Sequence, residues 1–306
     1  MKKRYANLSI SELSGWFGYS RQNYYSRVKQ IDRNAFFEQE ILGVVHSLRC
    51  DQPKLGTVKL HYLINQQLTD QSIGRDALYN LLRKNGLLIR KRKVYRPKMT
   101  DGNGKSIYPD RRKGFIPDGI NQLWCSDITW IELETQARHC YLICITDEYS
   151  HLIVGYCLEI HMKTEQLLKA LDIAVSSQLE KGSNAFKEPV IMHSDRGSQY
   201  KSAKFLEALE RYNMLPSMCA AGCSHENPVA ERLNGILKNE LLSLSSFESF
   251  KQAKQAVEKA IKIYNEQRPH LSCGLLTPKQ AHQGKGVVLK KLWRQRKTKR
   301  RRVLEA

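Results

Sequence analysis

The chain of 306 residues lacks any uninterrupted run of the roughly 18 apolar residues that a membrane-crossing helix needs, so a spanning role is not expected. It is poor in cysteine, with eight scattered residues, too sparse for a disulfide scaffold and suited to a reducing, cytoplasmic setting. The opening Met1-Lys2-Lys3-Arg4 leads into a polar stretch, whereas a secretory signal would continue into an apolar core. What is present is ordinary for a folded protein. Hydrophobic residues make up 41% and charged residues 26%, which excludes wholesale disorder.

Acidic residues are missing from one stretch in particular. Residues 285–302 hold ten Lys or Arg and no acid, and residues 83–113 hold twelve against two acids, Asp101 and Asp110. The rest of the chain balances, so these two blocks carry the whole net charge of +20. Two separated basic blocks around a neutral region point to a polyanionic partner.

The periodicity predicts an N-terminal helical region over residues 1–49. It contains a short helix near Ser11-Glu12-Leu13, a second over Arg21–Lys29 capped by Ser20, and a third over 35–49. These first helices are readable as a helix-turn-helix or as a plain hairpin. Residues 50–88 predict a helix-turn-helix that binds DNA, the other reading being a helical bundle with a polar exterior. Thr57–Gln67 forms its first helix, and Ser72 caps a second that buries Ile73, Ala77, Leu78, Leu81 and Leu82 and ends at Gly86. The outward side of the second helix offers Arg75, Asn80 and Lys84 to a major groove. Residues 89–118 read as a basic linker, with Arg90, Lys91, Arg92 and Lys93 along a phosphate backbone. Gly104-Lys105-Ser106 is not a nucleotide-binding loop, because position 99 is Met where the motif requires Gly.

From residue 119 the pattern is α/β. Strands are expected at 122–133, 140–146, 152–158 and 190–192, and helices at 164–180, 200–212, 228–243 and 248–267. That order implies one mixed sheet covered by helices. A core over 119–246, a helical C-terminal part of it over 247–284 and a basic tail over 285–306 complete the layout. Arg300, Arg301 and Arg302 of the tail are further DNA contacts in this reading.

Three acids occupy unusual places. Asp127 lies inside the apolar strand Trp124-Cys125-Ser126-Asp127-Ile128-Thr129-Trp130, Asp195 follows the strand Val190-Ile191-Met192, and Glu231 sits in the first turn of a helix opened by Pro228. A carboxylate in an apolar strand is costly unless a basic partner or a metal compensates it. Three converging carboxylates suit Mg²⁺ or Mn²⁺, two ions about 3.5–4 Å apart being the geometry for in-line phosphoryl displacement. Asp127 and Asp195 are 68 positions apart, and 35 residues separate Asp195 from Glu231.

With that spacing, the chain resembles transposases and retroviral integrases with a D,D-35-E catalytic core. Its nearest likeness is the second-frame (OrfB) product of two-frame bacterial insertion sequences. The resemblance rests on Trp124 to Thr129, His193-Ser194-Asp195-Arg196-Gly197-Ser198-Gln199-Tyr200, Asn227-Pro228-Val229-Ala230-Glu231, and Tyr264-Asn265-Glu266-Gln267-Arg268-Pro269-His270 with Thr277-Pro278. It spans residues 50–283, and Cys219 to Glu226 departs from it where a Ser/Gly/Asn-rich loop is expected.

The resemblance implies a ribonuclease-H-like five-stranded sheet flanked by helices, behind an all-α region. It implies that Asp127, Asp195 and Glu231 are both catalytic and metal-binding, with two Mg²⁺ (or Mn²⁺) ions per active site and no organic cofactor. Lys238, seven residues after Glu231, would touch the DNA end, with Arg232 and Lys204 as further phosphate contacts. The implied reaction is cleavage at insertion-sequence ends and 3′-OH strand transfer, through a circular intermediate. Implied partners are DNA, further copies of the chain and a first-frame (OrfA) product or fusion, in the bacterial cytoplasm at the nucleoid. The rival readings are an inactive DNA-binding regulator and a ribonuclease-H-like nuclease.

Other residues read as structural. Cys140 and Cys144, at an even offset in a strand, look like core, and Cys219, Cys223 and His225 lack a fourth zinc ligand. Trp124 and Trp130 are expected in the core. His193 either braces its loop or orients a water or phosphate.

Overall fold

The computed structural model describes residues 8–69, 71–89, 108–134, 139–219, 227–243 and 246–284. It forms two compact units, residues 1–91 and 92–306.

The first unit is helical: α1 (Ile10–Gly15), α2 (Arg21–Asp51), α3 (Thr57–Gln67) and α4 (Arg75–Lys84). Helix α1 starts at Ser9, not Ser11, because Ser9 and Glu12 form a reciprocal capping box. The two helices expected over 21–29 and 35–49 are one helix of 31 residues, since Gln30 to Asn34 contains neither Gly nor Pro to interrupt it. Ile41 and Val45 of α2 pack with Leu55, Leu60 and Ile64 and with Ile73, Leu78, Leu81 and Leu82 into one core. Helix α4 is preceded by Gly74 and not capped by Ser72. The Ile73 backbone is instead held by Asn65, whose Oδ1 accepts from the Ile73 N–H at 2.9 Å.

The second unit is built on β1 (Leu123–Glu132), β2 (His139–Asp147), β3 (Ile153–Glu159), β4 (Val190–Ser194) and β5 (Met214–Met218), in the sheet order β3-β2-β1-β4-β5. Strands β1, β2 and β3 are antiparallel neighbours, whereas β4 and β5 run parallel to β1 and to each other. Helices α5 (Thr164–Gln178), α6 (Ala203–Arg211), α7 (Pro228–Ile236), α8 (Phe250–Glu266) and α9 (Pro278–Gln283) accompany the sheet. This is the mixed five-stranded, ribonuclease-H-like arrangement. Strand β5 is not among the strands expected from periodicity, and it contains Pro216. At the sheet margin a missing N–H costs no ladder bond.

Two apolar clusters form the core. One joins Trp124, Ile143 and Ile145 to Leu167 and Leu171 of α5 and Phe205 of α6, and the other joins Ile131, Leu142 and Cys144 to Leu233 of α7 and Val257 of α8. Strand β3 approaches α5 so closely that a Cβ on Gly155 would stand 2.3 Å from the Ala170 carbonyl oxygen. On the other side, Asn265 of α8 clasps the Ile153 backbone, accepting from its N–H and donating to its carbonyl, both at 3.0 Å.

The end of the region read as a linker packs on the sheet. Arg112 forms a two-pronged ion pair with Glu148, at 2.8 and 3.2 Å, and the Arg111 N–H donates to Ser217 Oγ at 2.9 Å. Arg90, Lys91, Arg92 and Lys93, like Arg300, Arg301 and Arg302, lie outside the described residues.

Candidate active site

Strand β1 pairs with β4 only over Leu123–Cys125, opposite Ile191–His193. Beyond Cys125 its ladder continues on the β2 side alone among the described residues. Asp127 stands two residues into that free margin, and Asp195 stands two residues past His193, just beyond β4. The two carboxyls therefore meet at the same level of the sheet. Burial, then the nearby charge of Asp195 and more weakly that of Glu231, push the Asp127 carboxyl up to about 7.

The surrounding residues fix this pair. The Ile128 N–H donates to Asp127 Oδ1 at 2.9 Å, and Asn234 Nδ2 donates to Asp127 Oδ2 at 2.7 Å. The Gly197 N–H donates to Asp195 Oδ1 at 2.9 Å, closing a tight turn after β4. The Tyr200 hydroxyl, buried beneath the site, hydrogen-bonds Ser126 Oγ at 2.8 Å. Asn227, at the start of α7, donates to the Ser126 carbonyl at 3.0 Å and so ties the helix of Glu231 to the strand of Asp127.

Asn234 escaped the sequence reading. Its signal was its place three residues after Glu231, one turn along the same helical side.

Glu231 lies exposed in the first turn of α7. Its charge reaches Asp127, yet among the described residues no group of three His, Cys, Asp or Glu side chains is close enough to hold an ion as it stands. His193 is buried under the site. Its ring contacts Ser217 Oγ at 2.9 Å and Cys219 Sγ at 3.4 Å, bracing β4 against β5. Cys140 and Cys144 are buried core residues, and Cys223 and His225 lie outside the described residues.

Known proteins share this core. The integrase core domain family matches residues 117–224, and a second integrase core domain family matches residues 206–278. The 31 kDa protein of insertion element IS600 from Shigella sonnei is 31% identical over 268 residues, covering 86% of this chain and 94% of that protein. Transposase InsF of insertion sequence IS3A from Escherichia coli strain K12 is 30% identical over 224 residues, covering 70% and 74%. The chain belongs to the IS3-type transposases with an integrase core.

Relatives from insertion sequence element IS986/IS6110 of Mycobacterium tuberculosis are 33% identical over 168 residues, and the matched part spans 59% of their length. Among solved structures, the HTLV-2 integrase catalytic core domain in complex with magnesium aligns over 54% of this chain and 97% of that chain, with 20% identity and a TM-score of 0.40. A chain of the simian T-cell lymphotropic virus intasome aligns over 76% of each, with 18% identity and a TM-score of 0.44.

The cations of the IS3-type chain fall into two groups. Arg232, Lys204, Arg75 and Lys84 are exposed and paired with Glu240, Glu165, Asp76 and Glu38, at 3.1, 3.4, 3.1 and 3.0 Å. Exposed pairs of this kind contribute about 0–1 kcal/mol and exchange readily for other anions. Asn80 is exposed on α4. Lys238 differs: it is half-buried, and its ammonium lies 3.9 Å from the centre of the Trp130 ring. Trp130 is thus not a core residue. It is 42% exposed at the free margin of β1. The single helix expected over 228–243 changes at Leu237–Leu241 into a π-helical turn, which carries Lys238. In the same turn Glu240 receives Arg232 and the buried Arg268 of the Tyr264–His270 motif.

Proposed function

We propose that this chain is the catalytic subunit of an insertion-sequence transposase, joining the 3′ ends of its element to DNA by phosphoryl transfer. The observation that carries the reading is the closeness of Asp127 and Asp195 at the β1–β4 margin, with the charge of Glu231 on α7 reaching Asp127 more weakly. Burial of Asp127, with the charge of Asp195 added, makes that carboxyl resist ionisation; a bound cation would offset both effects, and an all-oxygen donor set suits Mg²⁺ or Mn²⁺. Asp127 and Asp195 would hold the cation, with Glu231 joining from α7. Two such ions, when bound, would promote deprotonation of the attacking hydroxyl and stabilise the departing oxygen.

The chain's own residues then have separable tasks. Asn234 and the Ile128 N–H set the plane of the Asp127 carboxyl, and the Gly197 N–H sets that of Asp195. Asn227 fixes α7 on β1. In the first reaction, water attacks the phosphorus at the element end and the P–O3′ bond breaks, leaving a free 3′-OH. In the second, that hydroxyl attacks another phosphodiester, one P–O bond forming as one breaks. No nucleotide is consumed. Basic side chains supply DNA affinity: Lys238, Arg232 and Lys204 on the core, Arg75 and Lys84 on α4, and Arg90 to Lys93 and Arg300 to Arg302 in the basic blocks, with Asn80 on α4 adding a neutral hydrogen-bonding group.

Holding two ends calls for more than one copy of the chain on DNA, and a first-frame product or fusion would add recognition. The setting is the bacterial cytoplasm at the nucleoid. The test is a labelled, pre-nicked element end incubated with the chain and Mg²⁺. Joined products support the reading, whereas cleavage without joining indicates a nuclease and binding alone a regulator.

A further inference from the structure

The Trp130–Lys238 pair stands outside the two apolar clusters of the core. Trp130 lies three residues after Asp127, roughly 10 Å along the strand at about 3.3 Å per residue, an odd offset that points its ring to the opposite face of β1, so that Lys238 reaches it from just beyond α7 around the unpaired margin. It is exposed at the free margin of β1, where it also lines a cavity of about 430 Å³ with Glu132, Glu134, His139 and Phe247. The lysine reaches it from a π-helical turn, an irregularity that recurs at functional positions in helices.

The choice of partner is informative. No carboxylate among the described residues lies within ion-pairing distance of Lys238. An ion pair would cancel the charge, and an incoming phosphate would have to displace it. An aromatic face attracts the ammonium through its quadrupole and leaves the full positive charge in place. Burial lowers the Lys238 pKa, against the smaller opposing effect of the nearby Glu132 charge, so part of the desolvation that phosphate binding requires is already complete. The stem is held, one side of the ammonium is covered, and the remaining N–H donors are free to bind an oxyanion.

We infer that Trp130 is a positioning residue, whose ring holds Lys238 where a DNA phosphate flanking the scissile bond binds. The inference rests on the functional reading above. It names the side chain that organises the DNA contact.

The test uses the full chain, a fluorescent duplex of the element end, and the variants Trp130→Ala, Trp130→Phe, Lys238→Ala and the Trp130→Ala/Lys238→Ala double. Binding is read as Kd by anisotropy, and kcat for joining is read at saturating DNA. Trp130→Ala and Lys238→Ala should each weaken binding by roughly 3- to 30-fold. The double variant should be no weaker than Lys238→Ala. Trp130→Phe, which keeps an aromatic face, should recover most of the affinity and covers the case of an unfolded alanine variant. A purely structural role would reduce the active fraction, and hence kcat, while leaving Kd of the folded molecules unchanged. Wild-type joining with unchanged Kd in Trp130→Ala, or losses that multiply in the double variant, would overturn the inference. A wild-type chain that binds ends without joining them would instead refute the functional reading, and this inference with it.

Discussion

Asp127 and Asp195 occupy equivalent positions of two parallel chain segments. Leu123 faces Ile191, Trp124 faces Met192 and Cys125 faces His193, a constant offset of 68, and the same 68 positions separate the two acids. Parallel neighbours lie about 4.8 Å apart, so a shared register brings distant residues together without any dedicated loop. The strands part just before the acids, so beyond Cys125 the β1 margin is unpaired on the β4 side among the described residues.

The burial of Asp127, and then its closeness to Asp195, have a thermodynamic signature. The folded chain holds the Asp127 proton up to about pH 7, well above the ordinary carboxylate range in which the unfolded chain releases it. Between those limits the folded state binds more protons, so this residue adds stability as pH falls and weighs fully against folding above pH 7. The span corresponds to about 4 kcal/mol as an order of magnitude. In chelator, Asp127→Asn should therefore melt higher than the wild type at pH 8, and the gap should close toward pH 4. Mg²⁺ should raise the wild-type melting temperature at pH 8 and not that of the variant. Parallel melting curves at every pH would contradict the shift.

Asn234 holds the outer oxygen of that carboxyl. Partners that orient a metal ligand are typically worth 10- to 100-fold in metal affinity or activity, so Asn234→Ala should raise the Mg²⁺ concentration needed for half-maximal joining by about that factor. DNA binding should be unaffected. A variant with wild-type Mg²⁺ dependence would reduce Asn234 to a helix-packing residue.

Much of this site was legible in the sequence, for identifiable reasons. The acids stood out because Asp127 interrupts an apolar strand and Asp195 follows one, and a strand register preserves spacing. What escaped depended on tertiary partners. Asn234 has no local reason to be special until α7 lies on β1. Trp130 has the alternation of a core residue, and only the end of the β1–β4 ladder exposes it. The Ser20-capped helix reached Asp51 because nothing in Gln30–Asn34 stops it, whereas periodicity alone suggested a gap. Strand β5, not expected from periodicity, contains Pro216, tolerable only at a sheet edge.

Arg112 and Glu148 anchor the segment before β1. The pair is largely buried, and Cys125 Sγ also approaches Glu148, at 3.4 Å. Removing one partner of such a pair strands the other, so Arg112→Ala should destabilise the core by roughly 2–4 kcal/mol, readable in urea unfolding. A change below about 0.5 kcal/mol would mean that the pair is solvated like a surface bridge.

Gly155 sets the distance between β3 and α5. Gly155→Ala places a methyl against the Ala170 carbonyl and the Ala174 side chain, and should cost about 1–3 kcal/mol of stability through overpacking. The paired variant Gly155→Ala/Ala174→Gly relieves only one of these contacts and should recover part of the loss. Equal stability of Gly155→Ala and the wild type would show that α5 moves freely away from the sheet.

If Asp127, Asp195 and Glu231 act as one cation-holding unit, neutralising any one of them should stop the reaction. Strand transfer of a pre-nicked element end is measured for Asp127→Asn, Asp195→Asn and Glu231→Gln, with DNA affinity on the same preparations. Each variant should lose joining by at least about 10³-fold, as a catalytic unit requires, with affinity for the end kept within a few-fold. Joining at the wild-type rate by any one of the three would contradict this.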